Sequence, residues 1–412
     1  MKSFSSFHKL IIFFSLIAGI LLRFVWLEDM EWKWDEQWMY LHASDWANQH
    51  IWPEIGVMSG GGIVNTGVST WPFIVFRYYH LDPVQMAFAV ATLNSLGILI
   101  FYFALKKWKP EWSDLIIPGL AIASIHLLHI VFSRKIWAQD LLPFFTSIAF
   151  WGFVMRSRWI GVFSWAFGLA MTMQVHMSGF YLAASMIIAA IWYDGGIKKS
   201  FTWLWKISMF IVWFLLPSLT WFLNVISHSG NASTSISNIF KFEFFIRLLS
   251  DTLGINVFYS LGKSTQDFFA APYNYLNFVF LLILAVILII VIYKLFTKRQ
   301  LRATIWQNRE SKFLFLGYVI FPSILFTISG IPIRDHYMIV LFPMVQILFT
   351  IVVYQFQPKL ISWILVCQFW ISSNFLLFVH KQPQIRGDYG VPYSEQAKVK
   401  NPIPKSVPDQ AP

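Results

Sequence analysis

Charged residues are scarce in this chain. Asp, Glu, Lys and Arg together make up 12% of its 412 residues, whereas apolar residues make up 57%. A soluble globular domain has about 25% charged residues. The shortage excludes a soluble α/β enzyme and indicates a chain whose surroundings are mostly lipid. Aromatic residues, at 19%, fit lipid-facing helices with Trp and Tyr at both interfaces.

Cysteine is nearly absent as well. The one cysteine, Cys367, lies within an apolar run, which excludes a disulfide framework and a cysteine metal cluster. No histidine or carboxylate spacing requires a metal, so no cofactor is predicted and a divalent metal is neither required nor excluded. No nucleic-acid-binding motif occurs. The net charge of +11 is therefore assigned to loop topology and anionic lipid head groups.

Long apolar runs make up much of the sequence. A membrane-crossing helix needs about 20 mostly apolar residues, and about eleven runs approach that length. The first run follows Lys2 and Lys9 and lacks a small-residue cleavage site, so it is predicted to be an uncleaved span. The runs lie at 8–27, 84–105, 114–132, 139–155, 159–175, 177–193, 203–226, 275–296, 313–329, 336–354 and 359–379.

Lys and Arg set the predicted orientation, because they are retained on the cytoplasmic side of short loops. They gather in alternate loops, as at Lys106, Lys107 and Lys109. The sequence therefore predicts an all-α polytopic membrane protein with its N-terminus inside and its C-terminus outside. One transmembrane domain, residues 1–396, is predicted to carry outer loops at 28–83 and 227–274. Residues 397–412 are predicted to form an irregular, non-cytoplasmic tail.

The first outer loop is unusually acidic. Asp35 and Glu36 begin a stretch in which polar residues alternate with Trp and Tyr, a pattern typical of a helix lying in the interface plane. A second interfacial helix is predicted at 68–79. Asp35 is interpreted either as a helix N-cap or as a catalytic carboxylate. The acidic residues of this loop, eight of the 20 in the chain, are Glu28, Asp29, Glu31, Asp35, Glu36, Asp45, Glu54 and Asp82.

Other polar residues lie in short outer turns. Arg134 and Lys135 follow the third span, and Arg334 and His336 lie where the tenth begins. An outward arginine either binds phosphate or anchors a lipid or a nearby carboxylate. His176, between the fifth and sixth spans, is interpreted either as a hydrogen-bonded helix terminus or as a functional group. Further candidates for substrate contact are Tyr40, Glu54, Gln139, His176 and Tyr337.

These groups suit one reaction class. An acceptor hydroxyl loses a proton as it attacks, and a positioned carboxylate can take that proton. A leaving phosphate needs cations, which Arg134, Lys135, Arg334 and His336 would supply. A donor with an isoprenoid tail would stay in the bilayer while its head group meets the base. The pattern indicates sugar transfer from a polyprenyl-phosphate sugar to an acceptor hydroxyl.

The same residues resemble the GT-C superfamily of membrane glycosyltransferases, in the family 39-like branch of protein O-mannosyltransferases and lipid A aminoarabinose transferases. The resemblance covers most of the chain and is carried by Trp34-Asp35-Glu36, Ser133-Arg134-Lys135, Gln174-Val175-His176, Arg334-Asp335-His336-Tyr337 with Pro343, and 387–393. It implies the GT-C fold, an inverting transfer, Asp35 as base with Glu36 in support, and Arg134 and Arg334 on the donor phosphate. The family's Lys-Pro-Pro-like or His-Glu-Pro-like element is missing, which leaves a second functional carboxylate unassigned.

Two alternatives stay open. An enzyme of the O-antigen ligase or polymerase type also uses lipid-linked donors, but the loop 227–274 carries no compact basic motif. A non-catalytic flippase would need a polar lining through the membrane, which the apolar spans do not suggest. The predicted partners are the donor lipid, the membrane and an acceptor that is a protein, a lipid or a glycan. The predicted location is a bacterial inner membrane, with the site on its periplasmic face.

Overall fold

The computed structural model describes residues 4–59, 62–228, 235–270, 275–399 and 402–403. This part of the chain is almost entirely helical. One two-stranded antiparallel hairpin, Ile55–Met58 with Val64–Thr66, lies in the first loop. The helices are Ser6–Leu22, Trp34–Gln49, Trp71–Tyr78, Pro83–Trp108, Ser113–Ile125, Leu127–Val131, Leu142–Val154, Trp159–Val175, Met177–Asp194, Ile197–Leu215, Leu219–His228, Ile236–Ile239, Glu243–Thr252, Phe258–Leu261, Thr265–Ala270, Tyr275–Thr297, Arg299–Gln307, Arg309–Phe315, Phe321–Ile328, Met344–Phe356, Lys359–Lys381 and Tyr393–Val399.

Each predicted apolar run corresponds to one helix or one interrupted helix, which confirms the all-α polytopic membrane architecture. The number of full-length spans is smaller than predicted. Among the described residues, six helices are long and apolar enough to cross a membrane, or seven if the pair Asp335–Leu341 and Met344–Phe356, bent by 73°, forms one span. Ser6–Leu22 and Trp159–Val175 have 17 residues each. At about 1.5 Å per residue, such helices fall short of a hydrocarbon core about 30 Å thick.

The predicted third span is interrupted at His126, whose backbone is extended between Ser113–Ile125 and Leu127–Val131. One carbonyl at the break, that of Ile125, is satisfied from another helix, and the His126 ring finds its own partner in the second outer loop. The Ser372 hydroxyl donates to the Ile125 carbonyl at 2.8 Å. The His126 ring contacts the Asp251 carbonyl at 2.5 Å. The interruption thus joins the third span to the last span and to the second outer loop.

The loops gather at two ends of the bundle, as the alternation of Lys and Arg predicts. At the end with the basic loops, Arg156 pairs with Asp194 at 2.6 Å and Lys109 pairs with Glu310 at 3.2 Å. At the other end, residues 382–399 contact both the first loop and residues 235–270. We call this second end the site end. Because the two sets of loops are separated in this way, the predicted grouping of loops holds in the folded chain.

The segment after the last long helix packs on the first loop instead of extending away. Tyr389 donates its hydroxyl to the Asp29 carbonyl at 2.6 Å, and the Tyr393 N–H donates to Met30 O at 3.0 Å. The helix Tyr393–Val399 extends into the segment predicted to be irregular from residue 397. Most of that predicted tail, residues 400–401 and 404–412, lies outside the described residues, as do parts of the second outer loop.

Two neighbouring helices, Leu142–Val154 and Trp159–Val175, pack so closely that glycine is needed between them. A Cβ atom at Gly168 would lie 2.4 Å from the Ala149 backbone nitrogen, and one at Gly152 would lie 2.1 Å from the Trp165 nitrogen. Small residues of this kind let helix backbones approach within a membrane. These contacts lie in the second half of Leu142–Val154, towards the basic loops, and fix the packing of the two antiparallel helices.

We therefore expect Gly168→Ala to lower the melting temperature in detergent, because overpacking a tight contact costs about 1–3 kcal/mol. Gly97→Ala is the matched control, since its Cβ would meet Phe144 Cα at 3.4 Å, an ordinary contact distance. The measurement is thermal unfolding of both purified variants. Equal melting temperatures for the two variants would contradict the close packing.

Candidate active site

The acidic pair lies at the beginning of the first interfacial helix, Trp34–Gln49. Lys33 is the residue that caps this helix, and its N–H donates to Glu36 Oε2 at 2.9 Å. The capping carboxylate is therefore Glu36. Asp35 lies one position earlier and has no hydrogen-bond partner among the described residues. The N-cap interpretation of Asp35 is thus wrong, and its half-buried carboxylate is free for another role.

A buried ammonium group organises the carboxylates around Asp35. Lys135 Nζ lies 2.6 Å from Glu31 Oε2 and 3.5 Å from Glu36 Oε1. Lys33 Nζ reaches the same Glu31 oxygen at 3.2 Å. The Lys135 ammonium also lies 4.3 Å from the centre of the Trp137 ring, which favours the charged form. We call Glu31, Lys33, Asp35, Glu36 and Lys135 the charged cluster.

The pKa values of Asp35 and Lys135 are shifted by their surroundings, with different consequences for their charge. Burial, and then repulsion by Glu36, raise the pKa of Asp35 to about 7, against the opposing attraction of Lys135 and Lys33. Burial lowers the pKa of Lys135, but attraction by Glu31 and Glu36 outweighs it and holds that pKa well above its usual value. Lys135 therefore stays charged while Asp35 exchanges its proton near neutral pH. A carboxyl with such a pKa is suited to general-base chemistry.

Two histidines lie near Trp137, whose ring also contacts Lys135. The ring of His336 is 4.8 Å from that of Trp137 and 5.9 Å from that of His176. Both rings are buried, and Nε2 of each has no hydrogen-bond partner in the described part of the chain. The Tyr259 hydroxyl lies 3.4 Å from His336 Nδ1. Tyr337 packs against His176, with ring centres 5.1 Å apart.

His176 is also a hydrogen-bonded helix terminus, which was one of its two interpretations from the sequence. Its Nδ1 accepts the Ser178 N–H at 3.1 Å, which caps the helix Met177–Asp194. Burial lowers the pKa of His176 to about 3, so the unliganded imidazole is neutral. The capping bond fixes the ring and leaves Nε2 directed away from the helix. A structural role and a binding role are therefore compatible at this residue.

An apolar cavity of about 320 Å³ adjoins the histidines. Its walls come from the hairpin and from the site-end portions of the helices around Gln174, Met177 and Trp221. Met177 joins the two regions, because the Tyr337 hydroxyl lies 3.9 Å from its sulfur. The site thus has a charged part and an apolar part with the histidines between them.

Several predicted site residues lie apart from the cluster. Tyr40 packs under the Arg77 guanidinium, 4.8 Å from the ring centre. Glu54 is exposed in the first loop, and Arg334 is exposed beside His336. Gln139 is buried, with its Oε1 unpaired. Among the described residues, no hydrogen bond or ion pair joins these four side chains to the charged cluster, and their functional roles stay predictions.

Arg134 points away from its neighbour Lys135. Its guanidinium is buried and donates to the Trp26 carbonyl, and the charged groups near it are Asp29 and Glu28. Its Nε and Nη1 have no partner among the described residues. The predicted contact between Arg134 and a donor phosphate stays a prediction. Its observed contact holds the first loop to the turn after the third predicted span.

The structure adds residues that sequence reasoning did not select. Glu31 and Lys33 belong to the acidic loop, and their closeness in sequence to Asp35 could have identified them as site residues. Asp388 pairs with Lys33 at 2.9 Å and lies in a segment already noted for its resemblance to bacterial relatives. No sequence feature marked Tyr259 as a site residue, because one tyrosine in an aromatic-rich loop is not distinctive. No group of three His, Cys, Asp or Glu side chains suited to a metal occurs within the described ranges.

The fold and site define the chain as an all-α polytopic membrane protein with a charged site at one end of its bundle. No protein-family model and no curated protein sequence matches it. Among solved structures it resembles ArnT from Cupriavidus metallidurans, crystallised with undecaprenyl phosphate, at 14% identity and a TM-score of 0.48. The match covers 85% of this chain and 60% of that one. Such a similarity assigns neither activity nor site residues.

We expect Lys135→Met to destabilise the protein strongly. The substitution leaves Glu31 and Glu36 buried without their shared cation, and breaking a buried pair costs about 3–5 kcal/mol. The measurement is thermal unfolding in detergent. Lys398→Met is the control, because Lys398 pairs with Glu395 at the exposed surface. A Lys135→Met variant as stable as this control would show that the cluster does not depend on Lys135.

Proposed function

We propose that this protein is an integral membrane glycosyltransferase that moves a sugar from a polyprenyl-phosphate donor to an acceptor hydroxyl. The observation that carries the proposal is Asp35, a carboxylate without a hydrogen-bond partner in the described chain, held in a cluster with the buried Lys135 ammonium and the half-buried Lys33. The GT-C resemblance of the motifs supports the same activity. On this proposal the site lies on the periplasmic face of a bacterial inner membrane.

The acceptor oxygen attacks the sugar C1 as the C1–O bond to phosphate breaks, and Asp35 takes the hydroxyl proton. The products are the glycoside, a polyprenyl phosphate and a protonated Asp35, which returns its proton to water. Attack opposite the leaving group inverts the anomeric configuration. Glu36 supports the base by capping its helix, so the Asp35 carboxylate is fixed without losing its own acceptor capacity.

The leaving phosphate requires positive charge or N–H donors. His336 and Arg334 are the best placed of the predicted groups, because His336 Nε2 is unpaired and Arg334 is exposed beside it. A phosphate bound here would favour the protonated imidazole, which then donates through Nε2. Lys135 is already engaged by two carboxylates and would act through its field. The proposal uses no metal.

The apolar cavity fits the donor's hydrocarbon tail. Its walls are almost wholly apolar, and Met177 connects it with Tyr337 and the histidines. A tail in this cavity would bring the phosphate to the histidines and the sugar towards Asp35. Burying hydrocarbon yields about 25 cal/mol per Å² of apolar surface, so the cavity would contribute to affinity without affecting the chemistry.

We expect Asp35→Asn to reduce sugar transfer by roughly 10²–10⁴-fold, because a positioned general base contributes about that much. The assay follows radiolabel leaving undecaprenyl phosphate loaded with mannose, glucose or aminoarabinose, using purified protein in liposomes. Asp45→Asn, on the same helix but outside the cluster, is the control. Near wild-type turnover by Asp35→Asn would refute the assignment. Movement of donor between leaflets without consumption would favour a flippase instead.

The pH dependence gives a second check. Asp35 accepts a proton only when ionised, and its raised pKa of about 7 means that the ionised fraction falls as the pH drops through 7. We expect kcat/KM to decline on the acidic side with a midpoint near pH 7. The measurement is initial rate between pH 5 and 9 at low donor concentration. A midpoint near 4, the usual range for Asp, would show that the base is not desolvated.

A further inference from the structure

Residues 385–393 form a compact turn between the first and second outer loops. The Ile385 N–H donates to Gly390 O at 2.9 Å, which closes the turn. The Lys263 N–H donates to Arg386 O at 2.9 Å, and the Tyr389 N–H donates to Ser260 O at 3.0 Å. Backbone bonds on this scale fix the position of the turn independently of its side chains. We call residues 385–393 the strap.

One strap side chain reaches the site. The Asp388 carboxylate accepts from Lys33 Nζ at 2.9 Å, and the Asp388 carbonyl accepts from the same ammonium. The Tyr259 hydroxyl hydrogen-bonds with the Asp388 carboxylate on its other side. Tyr259 in turn contacts His336. Asp388 therefore connects the charged cluster with the histidine part of the site.

We propose that Asp388 is a positioning residue, which holds Lys33 beside Asp35 and Tyr259 beside His336. This inference rests on the proposed function, because it assigns Asp388 to the same reaction. Asp388 itself need not touch either substrate. Its consequence is electrostatic, since the strap carboxylate acts together with Glu31 to hold the Lys33 ammonium close to Asp35.

The direction of that consequence can be worked out from the groups that face Asp35. These are Glu36 on its own helix, Lys135 after the third predicted span, Lys33 before the helix and Asp388 on the strap. Lys33 lowers the pKa of Asp35 more than Asp388 raises it. Losing only the Asp388 charge would lower that pKa. If Lys33 also moved away from Asp35 when the Asp388 charge was lost, the pKa of Asp35 would rise.

The competing explanation is that Asp388 only holds the strap in place against the outer loops, which we call a docking role. The strap also carries Arg386, which pairs with Asp267 at 2.7 Å in an exposed bridge. If Asp388 only holds the strap in place, its loss should resemble the loss of Arg386. A docking role also predicts no dependence on whether Lys33 is present. The two explanations therefore differ in both the direction and the background dependence of the effect.

The first experiment measures the acidic limb of the kcat/KM profile in Asp388→Asn. We expect its midpoint to rise by roughly half a pH unit, the effect of moving one charge at short range in a wet site. In the Lys33→Met background, Asp388→Asn should give no further rise. Arg386→Gln is the control and should leave the midpoint unchanged. A fall, no shift, or the same rise in both backgrounds would overturn the proposal.

A second experiment needs no transfer activity. Lys33 is labelled with an amine-acylating reagent, and its modification rate is read by mass spectrometry against that of Lys398. Asp388→Asn should raise the Lys33 rate several-fold, because the free amine becomes more populated once the carboxylate is gone. An unchanged rate would overturn the positioning role. Absence of transfer by the wild type with every donor would instead refute the proposed function, while the labelling still decides Lys33.

Discussion

The buried ammonium of Lys135 is the constraint on which the site end depends. A buried charge is tolerated only where charged or polar partners replace water, and here Glu31 and Glu36 do so. Those two carboxylates belong to the first loop, so Lys135 fixes the beginning of the interfacial helix against the turn after the third predicted span. Asp35 is held in place between them but is not itself neutralised. The cluster thus places one carboxylate in an environment where its proton is exchangeable.

The apolar and charged parts of the site are built from different kinds of sequence. Helical spans supply the apolar cavity through long side chains such as Met177 and Trp221. The first outer loop, with its interfacial helix, and the turn after the third predicted span supply the charges, because they lie at the end of the bundle where water is available. The histidines stand at the boundary, each at the beginning of a helical segment. An amphiphilic molecule entering from the lipid would meet these environments in the order of its own polarity.

Sequence reasoning found the helices, because apolar runs of span length leave few other structures in lipid. It also selected Asp35, Glu36 and Lys135, which the fold brings together, since ionisable groups are conspicuous in so apolar a chain; their roles stay predictions. It overestimated the number of full spans, because run length does not reveal an interruption such as His126. Tyr259 and Asp388 escaped selection for a different reason. Their contacts with the site join segments far apart in the chain, and no periodicity or local spacing records such a pairing.

The strap has a consequence for how the protein is made. Lys33 and its partner Asp388 are separated by 355 positions, so all the membrane helices between them are synthesised first. During that interval the first loop carries its acidic residues and Lys33 without the partner that the strap provides. The complete charged arrangement forms only when residues 385–393 emerge and dock. Assembly of the site therefore follows synthesis of the membrane helices, and a chain halted before residue 385 would carry those helices without the contacts of the strap.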